Sequence, residues 1–501
     1  MAPAPLPRGH ACLRALPLVV ALALARLLPG HAAAQQADEA RLLLRIKRAW
    51  GDPPALASWG AAASHCNWTY VAFDAAGRVS SLALALPNVT LAGAMLPDDI
   101  GGLAGLAVLD LFNTSVGGGF PAFLYNCTGI ARVDLSNNRL AGELPADIGR
   151  LGGSLTYLAL GYNNFNGAIP AALSKLTNLI YLALNGNQLT GTIPPELGLL
   201  VNLETIKLEN NLFGAGTLPE SFKNLTKLTT VWLANCNLGG EFPSYVTRMT
   251  EMVWLDLSMN GFTGSIPTEI WNLQKLQYLY LYINNLSGEI AINGPIGAAS
   301  LLENNLAGGI PPSIARLPSL KFLWLWSNNL TGVLPAELGK RTPLLRDIQV
   351  DDNKLSGPIP AGICDHHQLW VFTASGNRLN GSIPESLAAC RTLMWLEVAD
   401  NELSGEVPAA LWTETKLISL ILQNNGQLTG TLPKELYWNL TRLYLDNNRF
   451  GGPIPGAAAR LRKFHIANNL ISGRIPAELV TGMPQLKELN LAGNMLSGGI
   501  P

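Results

Sequence analysis

Charge is scarce in this sequence: only 14% of its 501 residues are Asp, Glu, Lys or Arg, and 34 basic against 35 acidic side chains leave a formal charge of −1. A surface for nucleic acid or an anionic membrane needs a concentrated positive field, so neither partner is expected. Cysteine is scarce too, with six in the chain. A long apolar run occurs only near the N-terminus, so no membrane span is expected after it, since a span takes about 20 apolar residues. Catalytic signatures are also missing: there is no Gly-rich phosphate loop, no Gly-x-Ser-x-Gly, and no Val-Ala-Ile-Lys, His-Arg-Asp or Asp-Phe-Gly run. No enzyme, catalytic residue, cofactor or metal site is expected. The run Cys364-Asp365-His366-His367 reads as a solvated turn, because nothing else converges on it.

What the chain has is one unit repeated. Leu179 to Pro194, LIYLALNGNQLTGTIP, places Leu179, Leu182 and Leu184 at positions 1, 4 and 6 of a short half-buried strand. Asn187 turns the chain, and its amide can satisfy backbone groups of its own turn and of a neighbour. Gly191, Ile193 and Pro194 then form a stiff return with one apolar anchor. Such a unit cannot bury its apolar face alone and must stack. The template recurs from Leu106 to Pro501 at steps mostly of 24 or 25, and its turn position is filled seventeen times from Thr114 to Asn494, fifteen times by Asn and once by Cys236. Both the period and the Asn-or-Cys choice are those of the leucine-rich repeat. The expected fold is an α/β solenoid: a curved plant-type superhelix with a parallel concave sheet and a helical N-terminal cap.

Residues 1–34 read as a secretory signal: Arg8 and Arg14 precede the apolar run Ala15 to Ala25, and Ala32 to Ala34 offer small residues for cleavage. Its loss takes the charge to −4 and places the remainder on the extracytoplasmic side, secreted or at the cell surface. Residues 35–78 read as a cap, with a helix from Asp38 presenting Leu42, Leu43, Ile46 and Trp50 and stopped by Gly51-Asp52-Pro53-Pro54. Residues 79–501 read as the solenoid, one degenerate turn around Leu82 and Leu84 and then seventeen more. It ends at Ile500-Pro501 inside a repeat with no polar closing cap, which reads as a truncation. Two turns are short: Leu276 to Ile296 spans 20 residues and Leu440 to Leu461 spans 21. Either reads as a functional bend, and the first equally as the scar of a deletion.

The cap helix, Ala57-Ser58-Trp59, Cys66-Asn67-Trp68 and the repeated Leu-x-Gly-x-Ile-Pro together resemble the extracellular region of plant leucine-rich-repeat receptor-like kinases, nearest the HAESA-like, peptide-sensing branch. The resemblance implies a peptide or protein ligand, and a co-receptor for a full-length form. It also implies a cap disulfide from Cys66 to residue 73, where this chain carries Phe73. A family Arg-x-Arg pair that holds a peptide carboxylate would fall on Trp395 and Glu397, so that pocket is not inherited.

Five cysteines remain after the leader, an odd number that leaves at least one thiol unpaired or intermolecular. Cys364 and Cys390 lie in adjacent turns at different offsets from the next Leu, so a bridge and two separate buried thiols both stay open. Sequons for N-glycosylation occur at Asn67, Asn88, Asn113, Asn126, Asn224, Asn285, Asn329, Asn380 and Asn439.

Positions 3, 5, 7 and 8 of each turn face away from the core onto the strand surface. There the chain places Tyr157, Tyr181, Trp232, Trp254, Tyr278, Tyr280, Tyr282, Phe322, Trp324, Trp326, Trp395 and Tyr444. With turns about 5 Å apart, the rings from Tyr157 to Trp326 are expected to form a nearly continuous stripe. Exposed rings with polar tips favour an extended partner, though aromatics also simply suit strands. Asp256 joins the stripe, and Asp347, Asp351, Asp352, Glu397 and Asp400 make the later surface acidic, favouring a basic partner segment. The reading is an extracellular recognition module binding an extended peptide or protein on its concave face. The alternatives are a secreted inhibitor of microbial cell-wall hydrolases, like the polygalacturonase inhibitors, and a non-functional truncated receptor.

Overall fold

The computed structural model describes residues 29–60, 67–84, 91 and 94–500, with side chains from residue 37 onward. The signal reading of residues 1–34 therefore lies largely outside the described residues, as do Cys66 and Asn88.

The repeated Leu positions decide the architecture. Leu179, Leu182 and Leu184 are all at most 1% exposed, and each such burial stabilises by about 1.5–3 kcal/mol relative to exposure. The strand they flank, Tyr181–Ala183, pairs in parallel with Tyr157–Ala159 on one side and Thr205–Lys207 on the other. Repetition of that pairing gives a 19-stranded sheet. A second line of short strands follows each turn, and compact 3₁₀ segments such as Pro195–Leu199 close the unit. Gly191 sits at φ +71, a conformation that side-chain-bearing residues rarely adopt.

Stacking would bury the carbonyls at each turn, and the Asn column answers this. The Asn187 side-chain amide donates to Leu184 O (3.0 Å), Asn185 O (3.3 Å) and, one turn back, Leu160 O (3.1 Å), while its Oδ1 accepts the Phe165 N–H at 3.0 Å. The same set recurs at Asn353 and Asn377.

Cys236 breaks the column. Its thiol points at Leu208 O (3.4 Å) and Ala234 O (3.6 Å), but its sulfur is only a weak acceptor for the backbone N–H two residues past the previous Asn, here that of Phe213. The chain spends an extra residue at Gly214-Ala215-Gly216, and the second line of strands is interrupted between Gln188–Thr190 and Gly239–Glu241. An open cavity of about 790 Å³ marks the break, lined by Gly216, Thr217, Asn237, Leu238 and Met259.

At the N-terminal end the helix Pro29–Ala49 starts nine residues before Asp38 and covers Ala32 to Ala34. Leu43 and Ile46 are fully buried. Glu39 is only 3% exposed and accepts the Val79 N–H at 2.8 Å, tying the helix to the strand Val79–Ala83. Trp59 stacks on Trp68 with ring centroids 5.8 Å apart and donates its indole N–H to Thr69 O at 2.8 Å. Ring packing thus helps to pin this cap. Further along, Cys364 and Cys390 are joined by a disulfide with Cα atoms 5.9 Å apart, stapling two adjacent return segments, while Cys127 and Cys236 are free and buried.

Candidate ligand-binding face

The parallel register puts equivalent residues of successive turns side by side, so a side chain at position 3 or 5 meets its counterparts about 4.8 Å away. All fifteen residues expected on the ligand surface are half-buried on the strand face. Tyr157 stacks on Tyr181 (centroids 4.2 Å, planes 6° apart). Trp232 meets Trp254 edge-on at 5.1 Å, and Trp254 packs against Tyr278 at 4.5 Å and Tyr280 at 5.7 Å.

Two cations that the aromatic pattern did not reveal complete this run. Arg132 lies 3.6 Å from the Tyr157 ring centre, and the Lys207 ammonium is 3.5 Å from Trp232 and 5.9 Å from Tyr181. Lys207 bridges the only turn in this stretch with no ring, so the surface from Arg132 to Tyr280 is continuous by alternating ring and cation contacts. Their signal was available: Arg132 occupies position 3 and Lys207 position 5.

The stripe does not continue unbroken to Trp326. In the strand Ala298–Ser300 the outward residues are small, and Ala298 and Ser300 are buried at 0% and 1%. Phe322 and Trp324 (centroids 5.7 Å) form a second cluster beyond them. Tyr282, Trp326 and Trp395 stand at the half-buried margin, and Tyr444 packs edge-on against His465 at 4.6 Å. The indole N–H groups of Trp232 and Trp254 are buried without a hydrogen-bond partner among the described residues. An unmade bond of this kind costs about 1–3 kcal/mol.

The acidic residues differ from one another. Glu397 is held by Arg442 (3.3 Å) and by the Ser419 hydroxyl (2.9 Å). Asp347 accepts from the Gln349 amide at 3.0 Å, and burial pushes its carboxyl up to about 6. Asp351 accepts from the Thr373 hydroxyl and from the Ser375 N–H, and burial raises it too. Asp400 and Asp352 are exposed, and Asp400 accepts from Asn424 at 2.7 Å. In the aromatic half, Asp256 is raised by burial. Glu209, at position 7 beside Lys207, is 7% exposed with one carboxylate oxygen unpartnered, and burial pushes it up to about 7.

Among the sequons, Asn67, Asn113, Asn126, Asn224, Asn285, Asn329 and Asn380 are exposed. Asn439 is half-buried and accepts from Arg460 at 3.0 Å. None of the nine belongs to the aromatic run.

The fold and this face define a plant-type leucine-rich-repeat recognition module. The leucine rich repeat N-terminal domain family matches residues 36–72, and the Leucine Rich Repeat family matches 130–151, 154–176, 178–200, 251–273, 319–340 and 439–459. The leucine-rich-repeat ectodomain of the Arabidopsis receptor kinase HAESA, solved with an N-terminally extended IDA peptide hormone ligand, superposes with a TM-score of 0.78 at 31% identity, covering 93% of this chain and 87% of that one. The same receptor has been solved with IDA and the co-receptor SERK1. A TDR receptor gives a TM-score of 0.62 at 28% identity over 82% of this chain and 85% of that one. Polygalacturonase inhibitor 1 of Oryza sativa subsp. japonica is 34% identical over 114 residues, 21% of this chain and 31% of the inhibitor. The chain belongs to the leucine-rich-repeat ectodomains of plant receptor kinases. Among the described residues, no helix is long and apolar enough to cross a membrane.

Proposed function

We propose that this chain is the ligand-sensing part of a plant receptor-like protein on the extracellular side, and that it binds an extended peptide along the concave run from Arg132 to Trp324. The observation that carries the reading is the ring-and-cation run itself: half-buried aromatics in direct mutual contact, with two buried indole donors unmet. Large rings of this kind dominate binding energy where they sit at the centre of an interface. Similarity to HAESA, solved with a peptide hormone and with a co-receptor, supports a peptide ligand and a co-receptor as the partners. The acidic segment Asp347 to Asp400 favours a basic residue at one end of the ligand.

The test is direct. Peptides are selected from a displayed random library on the intact ectodomain, and their Kd is measured by titration calorimetry on variants. Trp324→Ala and Tyr280→Ala should each weaken binding by more than about 1 kcal/mol. Unchanged affinity in both would move the site off this face. The hydrolase-inhibitor reading rests on a match to less than a third of the rice inhibitor, and inhibition of a polygalacturonase by the purified chain would revive it.

A further inference from the structure

The short turn does more than interrupt the stripe. Its neighbours each carry a 3₁₀ segment in the return, Thr268–Asn272 before it and Pro312–Arg316 after it, but none lies between the strands Ser287–Glu289 and Ala298–Ser300. Without that segment the flank of the solenoid dips. Position 2 of the turn is Gly297, flanked at the same position by Gln277 in the turn before and Lys321 in the turn after. The result is a cavity of about 210 Å³ lined by Gln277, Tyr278, Pro295, Ser319, Lys321 and Leu344, among others. Tyr278 belongs to the aromatic run, so the cavity opens beside the candidate ligand path.

Its polar lining is rich in donors. Among the described residues the Lys321 ammonium has no carboxylate partner, and the Gln277 amide and Ser319 hydroxyl make no hydrogen bond. Arg346, next in the position-2 column, lies outside the lining, its guanidinium 5.1 Å from the Trp370 ring. A partly enclosed ammonium with idle donors around it fits an anionic group, because charge-assisted hydrogen bonds are the strong ones.

Resting on the concave-face reading above, we propose that this notch receives an acidic side chain of the extended ligand, with Lys321 as its counter-ion and Gln277 and Ser319 as hydrogen-bond donors. The shortened turn is then a specificity device: it opens a side pocket next to rings that by themselves discriminate poorly.

The probe is the same displayed random-peptide library, selected in parallel on the intact ectodomain and on Lys321→Gln, Lys321→Glu and Trp324→Ala, each checked for an unchanged thermal transition. Binders to the wild type should align with Asp or Glu enriched at one position. Lys321→Gln should lose that preference, and Lys321→Glu should replace it with Lys or Arg at the same register. For one selected peptide, Glu→Gln at that position should weaken binding to the wild type about ten-fold and to Lys321→Gln hardly at all. A reversal of preference cannot arise from a merely structural lysine. If Trp324→Ala weakens every peptide while the acidic preference is absent, or persists in both Lys321 variants, the notch proposal is overturned and the concave-face reading stands. If neither Trp324→Ala nor Tyr280→Ala weakens any selected peptide, the concave-face reading falls and the notch falls with it.

Discussion

The concave sheet has two halves on one backbone. Strand pairing advances in the same parallel register from Tyr157–Ala159 to Lys463–His465, and the Asn column runs through both halves, broken in the early one at Cys236. Only the side chains at positions 3, 5 and 7 differ. In the early half the rings touch each other and two cations, leaving indole donors unmet. In the later half the carboxylates are largely satisfied by their own neighbours: Gln349 for Asp347, Thr373 and Ser375 for Asp351, Ser419 and Arg442 for Glu397. The lesson is a division of labour. The ladder fixes the backbone, which frees the outward positions to be apolar and unsatisfied in one half and charged but self-satisfied in the other; on the proposed reading the first half supplies binding energy and the second steering.

The sharpest way to break this comparison is to attack what the halves share. Asn187→Ala in the early half and Asn377→Ala in the later half each remove three donated bonds and one accepted bond from a buried turn. Each should cost about 3 kcal/mol in urea unfolding, to within about 1 kcal/mol of the other. Cys236→Ala should cost less than about 1.5 kcal/mol, because only a small buried thiol with weak polar contacts is lost. A large gap between the two Asn variants would mean that the backbone is not equally supported along the sheet.

A smaller effect separates the halves. Trp254 contacts three other rings, so Trp254→Ala should weaken a concave-face peptide by about 2 kcal/mol. Glu397→Gln should change the affinity at high salt by less than about 0.5 kcal/mol and act mainly on the association rate at low salt. Equal losses from both would erase the proposed division.

Much of this molecule was legible in its sequence because the ladder demands a particular side chain at a particular spacing. A buried turn with three carbonyls and one N–H to satisfy is served by Asn, whose two amide hydrogens are shared among the carbonyls while its oxygen accepts the N–H, and the Leu positions follow from a strand with one buried face. The rest was hidden for physical reasons. Cys236 is a tolerated residue of the turn position, yet its sulfur is a weak acceptor, and the second line of strands is interrupted there. The disulfide stayed open because Leu spacing fixes the strands and not the return segments that carry Cys364 and Cys390. Arg132 and Lys207 join the run only through the fold, since the aromatic pattern of the sequence does not show cations stacking on the rings. The break at Ala298 and Ser300 follows from small residues that the aromatic tally passed over. Glu39 and Glu209 were unremarkable in the sequence and acquire meaning only through burial.

The finest distinction between the halves is in their titration. Glu209, in the early half, is pushed up to about 7 by burial, and Asp347, in the later half, to about 6. A carboxyl whose native value lies above its unfolded value, about 4 for either residue, keeps its proton longer in the folded state than in the unfolded chain. The folded state therefore binds more protons between those two values, and stability falls as pH rises through that window. The contribution is fully present below about pH 4 and is lost as each carboxyl ionises, for Asp347 near 6 and for Glu209 near 7. Urea unfolding at a series of pH values should show the decline. Glu209→Gln should remove the part that extends toward neutral pH, at least about 1 kcal/mol, and Asp347→Asn only the part that ends lower. If Glu209→Gln leaves the pH profile unchanged, its carboxylate is solvated or paired in solution, and the early half is less dry than its ring packing implies.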